Sequence, residues 1–294
     1  MLAEGKIIKS ISGFYYVLSE DVVYQCRARG VFRKRKITPL VGDLVKFEAD
    51  NGTDGYIIEL LPRKNELVRP PIANVEQALV VFSVKEPDLS LQLLDKFLVH
   101  IEANEIEAII CFTKMDLLTA TERERLFDVA SLYRSLSYPI FFLSIVEQEN
   151  YAPLKAYLKD KITVVAGQSG VGKSSLLNGL DTSLQIATNE ISTHLGRGKH
   201  TTRHVELLPI AGGLVADTPG FSSLDLSHFN EEDLSLYFPE MKQRREKCKF
   251  RGCTHLAEPH CAVKDALKSG EIAESRYNHY VQFFNEVKET KRRY

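Results

Sequence analysis

The sequence lacks two features that would assign it to a special class at once: an excess of one charge and a long apolar run. Its 38 Lys and Arg residues are balanced by 39 Asp and Glu residues, so the formal net charge is −1 at pH 7. Any argument for nucleic-acid binding must therefore come from a local cluster. No apolar run approaches the roughly 20 residues that span a bilayer. The N-terminal residues lack the apolar core of a signal peptide. We expect a cytoplasmic protein with no membrane partner.

Cysteine is also scarce, and its distribution predicts a metal site. Of the five cysteines, Cys26 and Cys111 are isolated, whereas three cluster with a histidine. The clustered set is Cys248, Cys253, His255 and Cys261. An odd count in a reducing compartment argues against disulfides. A Cys₃His set fills a tetrahedral shell, which predicts one structural Zn²⁺. His260 is an alternative fourth ligand, and a loop with unpaired thiols is the alternative to a metal site.

Hydrophobic patterning divides the chain into three predicted domains, so we expect a multidomain α/β protein. Residues 1–68 contain five short alternating runs separated by glycine-containing turns, which predict an all-β, OB-like barrel. Residues 69–224 alternate apolar strands with helical patterns, as in a parallel α/β sheet. Residues 62–71 are interpreted as a linker between these two parts. Residues 225–294 are predicted to be mainly helical around the cysteine cluster.

A basic segment in the predicted barrel supplies the positive charge that the overall balance hides. Residues 27–36 contain six basic residues and no acidic one. The basic residues are Arg27, Arg29, Arg33, Lys34, Arg35 and Lys36. Phe32 lies among them, so the segment suits phosphate contacts with an aromatic ring for stacking. We predict RNA binding here, and a solvated charged loop is the alternative.

Residues 162–176, ITVVAGQSGVGKSSL, join a β-branched apolar run to a helix start through a match to G-x-x-x-x-G-K-[ST]. Such a loop turns successive backbone N–H groups towards one phosphate, and the helix N-terminus adds partial positive charge. Lys173 is expected on the β- and γ-phosphates and Ser174 on Mg²⁺. The predicted phosphate-binding residues are Gly167, Gln168, Ser169, Gly170, Val171, Gly172, Lys173, Ser174 and Ser175. The alternative is a glycine-rich turn that binds nothing.

A second motif follows the predicted strand at residues 106–112. The tetrapeptide Thr113-Lys114-Met115-Asp116 resembles the [NT]-K-x-D guanine motif of GTPases. A carboxylate at Asp116 can accept hydrogen bonds from both N1–H and N2 of guanine, a donor pair that adenine lacks. Thr113 replaces the commoner Asn, which leaves its own contacts open. Ser144 is expected in the turn that offers backbone N–H groups to the guanine O6.

Residues 217–220, DTPG, resemble the D-x-x-G motif, in which Asp217 is linked to Mg²⁺ and the Gly220 N–H meets the γ-phosphate. The Mg²⁺-binding threonine of the preceding switch loop is expected to be Thr201 or Thr202. Ras-like enzymes orient the attacking water with a Gln directly after D-x-x-G, but this chain has Phe221 there. Intrinsic hydrolysis is therefore expected to be slow. His200 is a candidate replacement, and a surface histidine without a catalytic role is the alternative.

The order of these motifs is permuted, because TKMD precedes the phosphate loop, which in turn precedes DTPG. Together with the predicted barrel, GRGKHTTRH at residues 196–204 and the cysteine cluster, they resemble the circularly permuted small ribosomal subunit-dependent GTPase A family (RsgA, also called YjeQ). The resemblance covers nearly the whole chain.

This resemblance implies an assembly factor that binds GTP and GDP with Mg²⁺, acts late in small-subunit maturation, contacts ribosomal RNA and is stimulated by the subunit. It also favours a role for His200 in stimulated hydrolysis. We expect a monomer. Two alternatives remain open: a nucleic-acid-binding protein with a regulatory or vestigial nucleotide site, and a P-loop ATPase or kinase.

Overall fold

The computed structural model describes residues 2–50, 52–68, 70–144, 146, 151–184, 205–217 and 224–292. The strands are β1 (Leu2–Ile11), β2 (Phe14–Ser19), β3 (Val22–Ala28), β4 (Leu44–Ala49), β5 (Asp54–Leu60), β6 (Glu66–Val68), β7 (Pro71–Ala73), β8 (Gln77–Ser83), β9 (Glu107–Thr113), β10 (Ile140–Phe142), β11 (Ile162–Ala166), β12 (Leu207–Ile210) and β13 (Gly213–Asp217). The helices are α1 (Gly30–Lys34), α2 (Leu91–Glu102), α3 (Ala120–Ser135), α4 (Tyr151–Leu158), α5 (Lys173–Leu180), α6 (Pro239–Lys242), α7 (Ala262–Lys268) and α8 (Glu274–Arg292). Among these residues, no helix is long and apolar enough to span a membrane.

The first five strands form a closed barrel in the order β1-β2-β3-β5-β4, which confirms the predicted all-β start. Alternate residues point inwards, and Val17, Phe47 and Ile57 are fully buried. Glycine is required at position 5, where β1 pairs with β2, because a Cβ there would lie 2.5 Å from Cγ1 of Val17. Among the described residues of these five strands, the closed barrel leaves no long unpaired sheet edge.

The segment interpreted as a linker is instead packed against the barrel. Strands β6 and β7 pair as a short antiparallel hairpin. Arg63 Nε donates a 2.7 Å hydrogen bond to Asp43 Oδ1, and Asp43 is fully buried. A buried carboxylate must be paired, so this contact holds the segment in place. Sequence patterning missed it because the partners lie 20 positions apart.

The central part is a six-stranded sheet in the order β10-β9-β8-β11-β13-β12. Only the β12–β13 pairing is antiparallel among the described pairs of this sheet. In β8, Val80 packs with α2 and α3 on one face, whereas Val81 packs with α4 and α5 on the other. Burial on both faces explains the continuous apolar run of this strand. The carboxyl ends of β8, β9, β10, β11 and β13 meet at one edge, which is where such sheets bind ligands.

The C-terminal part is helical, as predicted, and packs against α2. Arg276 of α8 is 1 % exposed and donates to two carboxylates. Its Nη1 lies 2.6 Å from Asp95 Oδ1 on α2, and its Nε lies 2.8 Å from Glu240 Oε1 on α6. The Tyr133 hydroxyl of α3 also donates to Asp95, at 2.7 Å. This buried network joins the C-terminal helices to the helices that cover the sheet.

Candidate functional site

The phosphate loop follows β11 and leads into α5, as the motif predicts. Three of its glycines have positive φ, and the tightest is Gly167, where a Cβ would lie 2.2 Å from the Val81 carbonyl oxygen. Only glycine therefore allows the loop to approach β8 so closely. Lys173 Nζ donates to the carbonyl oxygens of Gly167 and Gln168, at 2.9 and 2.6 Å. Its ammonium group thus lies over the loop, where it can neutralise a bound phosphate.

Ser174 occupies the first turn of α5 and is buried. A hydroxyl in this position suits Mg²⁺, which prefers oxygen ligands. Asp217 is the last residue of β13, and its backbone pairs with Val165 of β11. Asp217 therefore ends the strand next to β11, and β11 leads into the phosphate loop and the helix that carries Ser174. His200, Thr201, Thr202, Gly220 and Phe221 lie outside the described residues.

Thr113, whose contacts the motif left open, connects the two nucleotide motifs. It ends β9, and its hydroxyl Oγ1 lies 2.6 Å from the Val171 carbonyl oxygen of the phosphate loop. The Phe82 carbonyl oxygen is farther away, at 3.3 Å, so the single hydroxyl proton is directed at Val171. A shorter side chain than Asn thus still links the TKMD segment to the phosphate loop.

Asp116 is held by Ser144, which follows β10. The Ser144 hydroxyl is 2 % exposed and donates a 2.8 Å hydrogen bond to Asp116 Oδ1. The Met115 backbone N–H also donates to the Leu143 carbonyl oxygen, at 3.2 Å. These contacts join the TKMD turn to the end of β10 and orient one edge of the carboxylate. A side-chain role for Ser144 was not part of the sequence prediction, which assigned it only backbone N–H donation.

Lys114 has a left-handed backbone conformation with φ of 61°. Its Nζ donates to the carbonyl oxygen of Glu86 in the loop after β8. This contact places the lysine stem across the guanine side of the predicted site, where an alkyl chain can cover the face of a base. Met115 beside it is buried, so its side chain packs under the TKMD turn and supports it.

An ion pair next to this turn was missed by the sequence analysis. Lys85 Nζ lies 2.8 Å from Glu122 Oε1 and 3.2 Å from the Leu117 carbonyl oxygen. Glu122 also completes a capping box with Thr119 at the start of α3. The hydrogen bond from Lys85 and those from Thr119 lower the pKa of Glu122 to about 2. The T-x-x-E pattern at 119–122 is the signal that could have identified the cap.

The cysteine cluster is brought together as predicted. The donor atoms of Cys248, Cys253, His255 and Cys261 all lie within 4.8 Å of one another. His255 Nδ1 lies 3.3 Å from Cys261 Sγ and 3.7 Å from Cys248 Sγ. Burial lowers the pKa of His255, which favours the neutral imidazole that binds metals. All five cysteines are free thiols. The cluster therefore can hold a metal ion, and His260 is exposed and outside it.

The basic barrel segment differs from the prediction in one respect. Residues 30–34 form helix α1, and Phe32 on it is 7 % exposed because it packs into the hydrophobic core. Phe32 is therefore unable to stack on a base, which corrects the predicted role of that ring. The six basic residues are all exposed or partly exposed. Two of them have local partners: Arg27 lies 4.7 Å from the Phe14 ring centroid, and Arg29 lies 2.6 Å from Glu48 Oε2.

Comparison with known proteins finds two family models that match different ranges of the chain and relatives that match all of it. The family model described as RsgA GTPase matches residues 60–227, and that of the RsgA N-terminal domain matches residues 4–57. A relative from Bacillus cytotoxicus, named small ribosomal subunit biogenesis GTPase RsgA, is 58 % identical over 293 residues and is covered completely, as is this chain. A relative of the same name from Bacillus cereus is 59 % identical over 293 residues, again with complete coverage of both chains.

Two solved structures are similar to this fold. The structure of YloQ, described as a circularly permuted GTPase, has a TM-score of 0.86 and 49 % identity, covering 98 % of this chain and 96 % of that one. The structure of YjeQ from Thermotoga maritima has a TM-score of 0.88 and 38 % identity, covering 98 % and 99 %. The present chain is therefore similar, over almost its whole length, to a structure described as a circularly permuted GTPase.

Proposed function

The chain belongs to the RsgA GTPase family, and on that basis we propose that it hydrolyses GTP to GDP and phosphate while bound to the small ribosomal subunit, late in the subunit's maturation. The relatives carry small ribosomal subunit biogenesis in their names. The observation that carries the nucleotide assignment is the 2.6 Å contact between Thr113 and Val171, which joins the guanine motif to the phosphate loop. The contact places the TKMD segment beside the phosphate loop, as a site for both a guanine base and its phosphates requires.

Each predicted group then has a role at the sheet edge. Lys173 and the N–H groups of residues 167–175 bind the phosphates, and Asp116, oriented by Ser144, selects guanine. Lys114 covers the base and Met115 supports the turn. Ser174 and Asp217, with Thr201 or Thr202, would hold Mg²⁺, which neutralises charge on the phosphates when bound. Gly220 would meet the γ-phosphate, and His200 would orient the attacking water.

The cysteine cluster suits a structural Zn²⁺ in particular. Three thiolates and one imidazole form a closed donor set of the kind that zinc prefers, and none of the four ligand positions is left for a reacting water. His255 Nδ1 is the ring nitrogen turned towards the sulfur atoms. A metal there would fix a segment that otherwise has little regular structure.

We assign the ribosomal RNA contact of the first domain to the exposed charges of residues 27–36, because phosphate contacts require accessible cations. Domain limits of 1–68, 69–224 and 225–294, a monomeric state and a cytoplasmic location complete the proposal. The closed barrel supports a separate first domain.

GTP turnover against added small ribosomal subunits tests the function. Phosphate release should be slow for the protein alone and rise strongly with subunits, but not with an equal mass of total RNA. Lys173→Ala should abolish release in both conditions, because the phosphate contact is lost. Equal turnover with and without subunits would contradict the proposal.

Nucleotide choice tests the guanine assignment separately. Asp116→Asn should reduce the preference for GTP over ATP by roughly 5- to 150-fold, the cost of leaving a hydrogen-bonding group unpaired in the site. Lys173→Ala serves as the matched control, since it should weaken both nucleotides alike. An unchanged preference in the Asp116→Asn protein would remove Asp116 from the recognition set.

A further inference from the structure

The loop between Cys248 and Cys253 carries an exposed aromatic ring. Its four residues are Lys249, Phe250, Arg251 and Gly252, and the Phe250 side chain is 44 % exposed. Lys249 Nζ lies 5.7 Å from the centroid of the Phe250 ring. Most large apolar side chains near the cluster are buried in the C-terminal core instead. The ring is therefore accessible to a partner, and Lys249 lies beside it.

This loop is held in place at both ends. Cys248 and Cys253 are two of the four clustered donors, so both ends of the loop lie beside the cluster. The Lys249 backbone N–H donates to the His260 carbonyl oxygen, at 3.3 Å, on the other side of the cluster. Gly252 closes the turn with φ of 70°. Phe250 is thus presented from a supported turn, so little conformational freedom is lost when a partner contacts it.

Basic residues outnumber acidic ones in the sequence around Phe250. Residues 242–251 contain six basic residues and one acidic residue, Glu246. Lys242, Lys247, Lys249 and Arg251 are exposed. Arg244 pairs with Glu271 at 3.0 Å. The nearby Glu258 accepts hydrogen bonds from the Thr254 hydroxyl and backbone N–H, both at 2.7 Å. The Phe250 ring therefore lies among mostly basic side chains.

We propose that Phe250 stacks on an unpaired base of RNA while the neighbouring cations contact the flanking phosphates. This inference rests on the proposed function, which supplies an RNA-containing partner. Base–aromatic stacking needs a ring whose face a base can reach, and paired bases in an A-form helix do not offer theirs. An unpaired segment therefore fits the loop better than a duplex does. Lysine is depleted in protein–protein interfaces, so a ring surrounded by lysines suits the phosphates of RNA better than a protein partner.

The absence of tryptophan from the chain makes a direct test possible. Phe250→Trp places the only tryptophan in the protein at the proposed stacking position. Phe127→Trp is the matched control, because Phe127 on α3 is equally exposed, at 43 %. A single-stranded RNA of about 10 nucleotides should quench the tryptophan fluorescence of the Phe250→Trp protein and leave that of the Phe127→Trp protein unchanged. A duplex of the same sequence should quench the fluorescence of the Phe250→Trp protein much less.

Affinity provides the second measurement. Phe250→Ala should weaken binding of the single-stranded RNA by roughly 5- to 150-fold, and Phe250→Tyr should retain it, since a phenol ring still stacks. Anisotropy of labelled RNA confirms that the RNA is bound in every case. Two results would overturn the inference: bound RNA without a fluorescence change in the Phe250→Trp protein, or a change in that protein with ribosomal proteins freed of RNA but not with RNA. Absent stimulation of the wild-type GTPase by subunits would contradict the proposed function alone, because the quenching experiment does not depend on it.

Discussion

Two segments of the molecule have nearly the same composition but present it differently. Residues 27–36 and 242–251 are each ten residues long, and each contains six basic residues and one phenylalanine. In the barrel, Phe32 lies on α1 and packs inwards, whereas Phe250 in the C-terminal segment points outwards. The first segment therefore offers charge alone, and the second offers charge with a ring. Composition is therefore a poor guide to the surface that a basic segment presents.

The physical cause of this difference lies in what supports each segment. The barrel segment is anchored by its own aromatic ring, since α1 is only five residues long and would be unstable without a buried side chain. The C-terminal loop begins and ends at two cysteines of the cluster, and its ring is exposed. Substitutions in and around the two segments can break this contrast, and their expected effects range from loss of a folded segment to a change in salt dependence.

Removal of the metal site should have the largest effect and should act on one segment only. Cys253→Ser removes one of four ligands, and a structural Zn²⁺ contributes on the order of 10 kcal/mol to folding of small domains. Elemental analysis should show that the metal is lost, and hydrogen exchange should increase across residues 242–261 but not across residues 27–36. Cys26→Ser is the control, because Cys26 lies in the barrel core. Full retention of metal by the Cys253→Ser protein would refute the ligand assignment.

A second large effect should appear where the C-terminal helices join the sheet domain. Arg276→Met removes the buried guanidinium that pairs with both Asp95 and Glu240, and we expect a loss of about 3–5 kcal/mol in unfolding free energy. Arg29→Met breaks the ion pair with Glu48 in the barrel, in which both side chains are about half exposed. This change should lower the unfolding free energy by no more than about 1 kcal/mol. Urea unfolding measures both values. Equal losses would show that burial does not distinguish these two arginines.

The phenylalanines themselves allow the most direct comparison. Phe32→Ala should destabilise the protein by about 3–5 kcal/mol, since it leaves a cavity in the core. Phe250→Ala should change stability by no more than about 0.5 kcal/mol, because the side chain is exposed. Thermal unfolding of the two variants provides the measurement. A large destabilisation by Phe250→Ala would mean that the ring supports the loop rather than a partner.

The smallest effect concerns the salt dependence of RNA binding. Replacing Arg33, Lys34, Arg35 and Lys36 together by Gln should reduce the slope of log K against log salt by up to about 3, at roughly 0.7 per phosphate contact for single strands. Phe250→Ala should lower affinity but leave that slope unchanged, since stacking releases no counterions. Titrations at several salt concentrations separate the two. If replacing the four basic residues left the slope unchanged, residues 27–36 would not belong to the proposed RNA interface.

Much of the fold followed from local patterns. The five barrel strands, the buried strand β11 and the helical C-terminal part were predicted because alternation and helical periodicity are local properties. Residues 62–71 were predicted wrongly as a linker, since the contact of Arg63 with Asp43 is not visible in any short window. The role of Phe32 was wrong for the same reason, because burial depends on what packs against a helix.

For the site, sequence alone determined the residue types and their local geometry. Glycines in the phosphate loop, the TKMD turn and the closely spaced cysteines each impose backbone or ligand chemistry within a few residues, so a short motif contains the necessary information. Only the tertiary structure decided which of these groups meet. The Thr113 contact with Val171 spans 58 positions, and the Arg276 contact with Asp95 spans 181. The tertiary structure also decided that Phe32 is buried and Phe250 is exposed. Burial depends on packing between residues that are distant in the chain, and a short stretch of sequence does not contain that information.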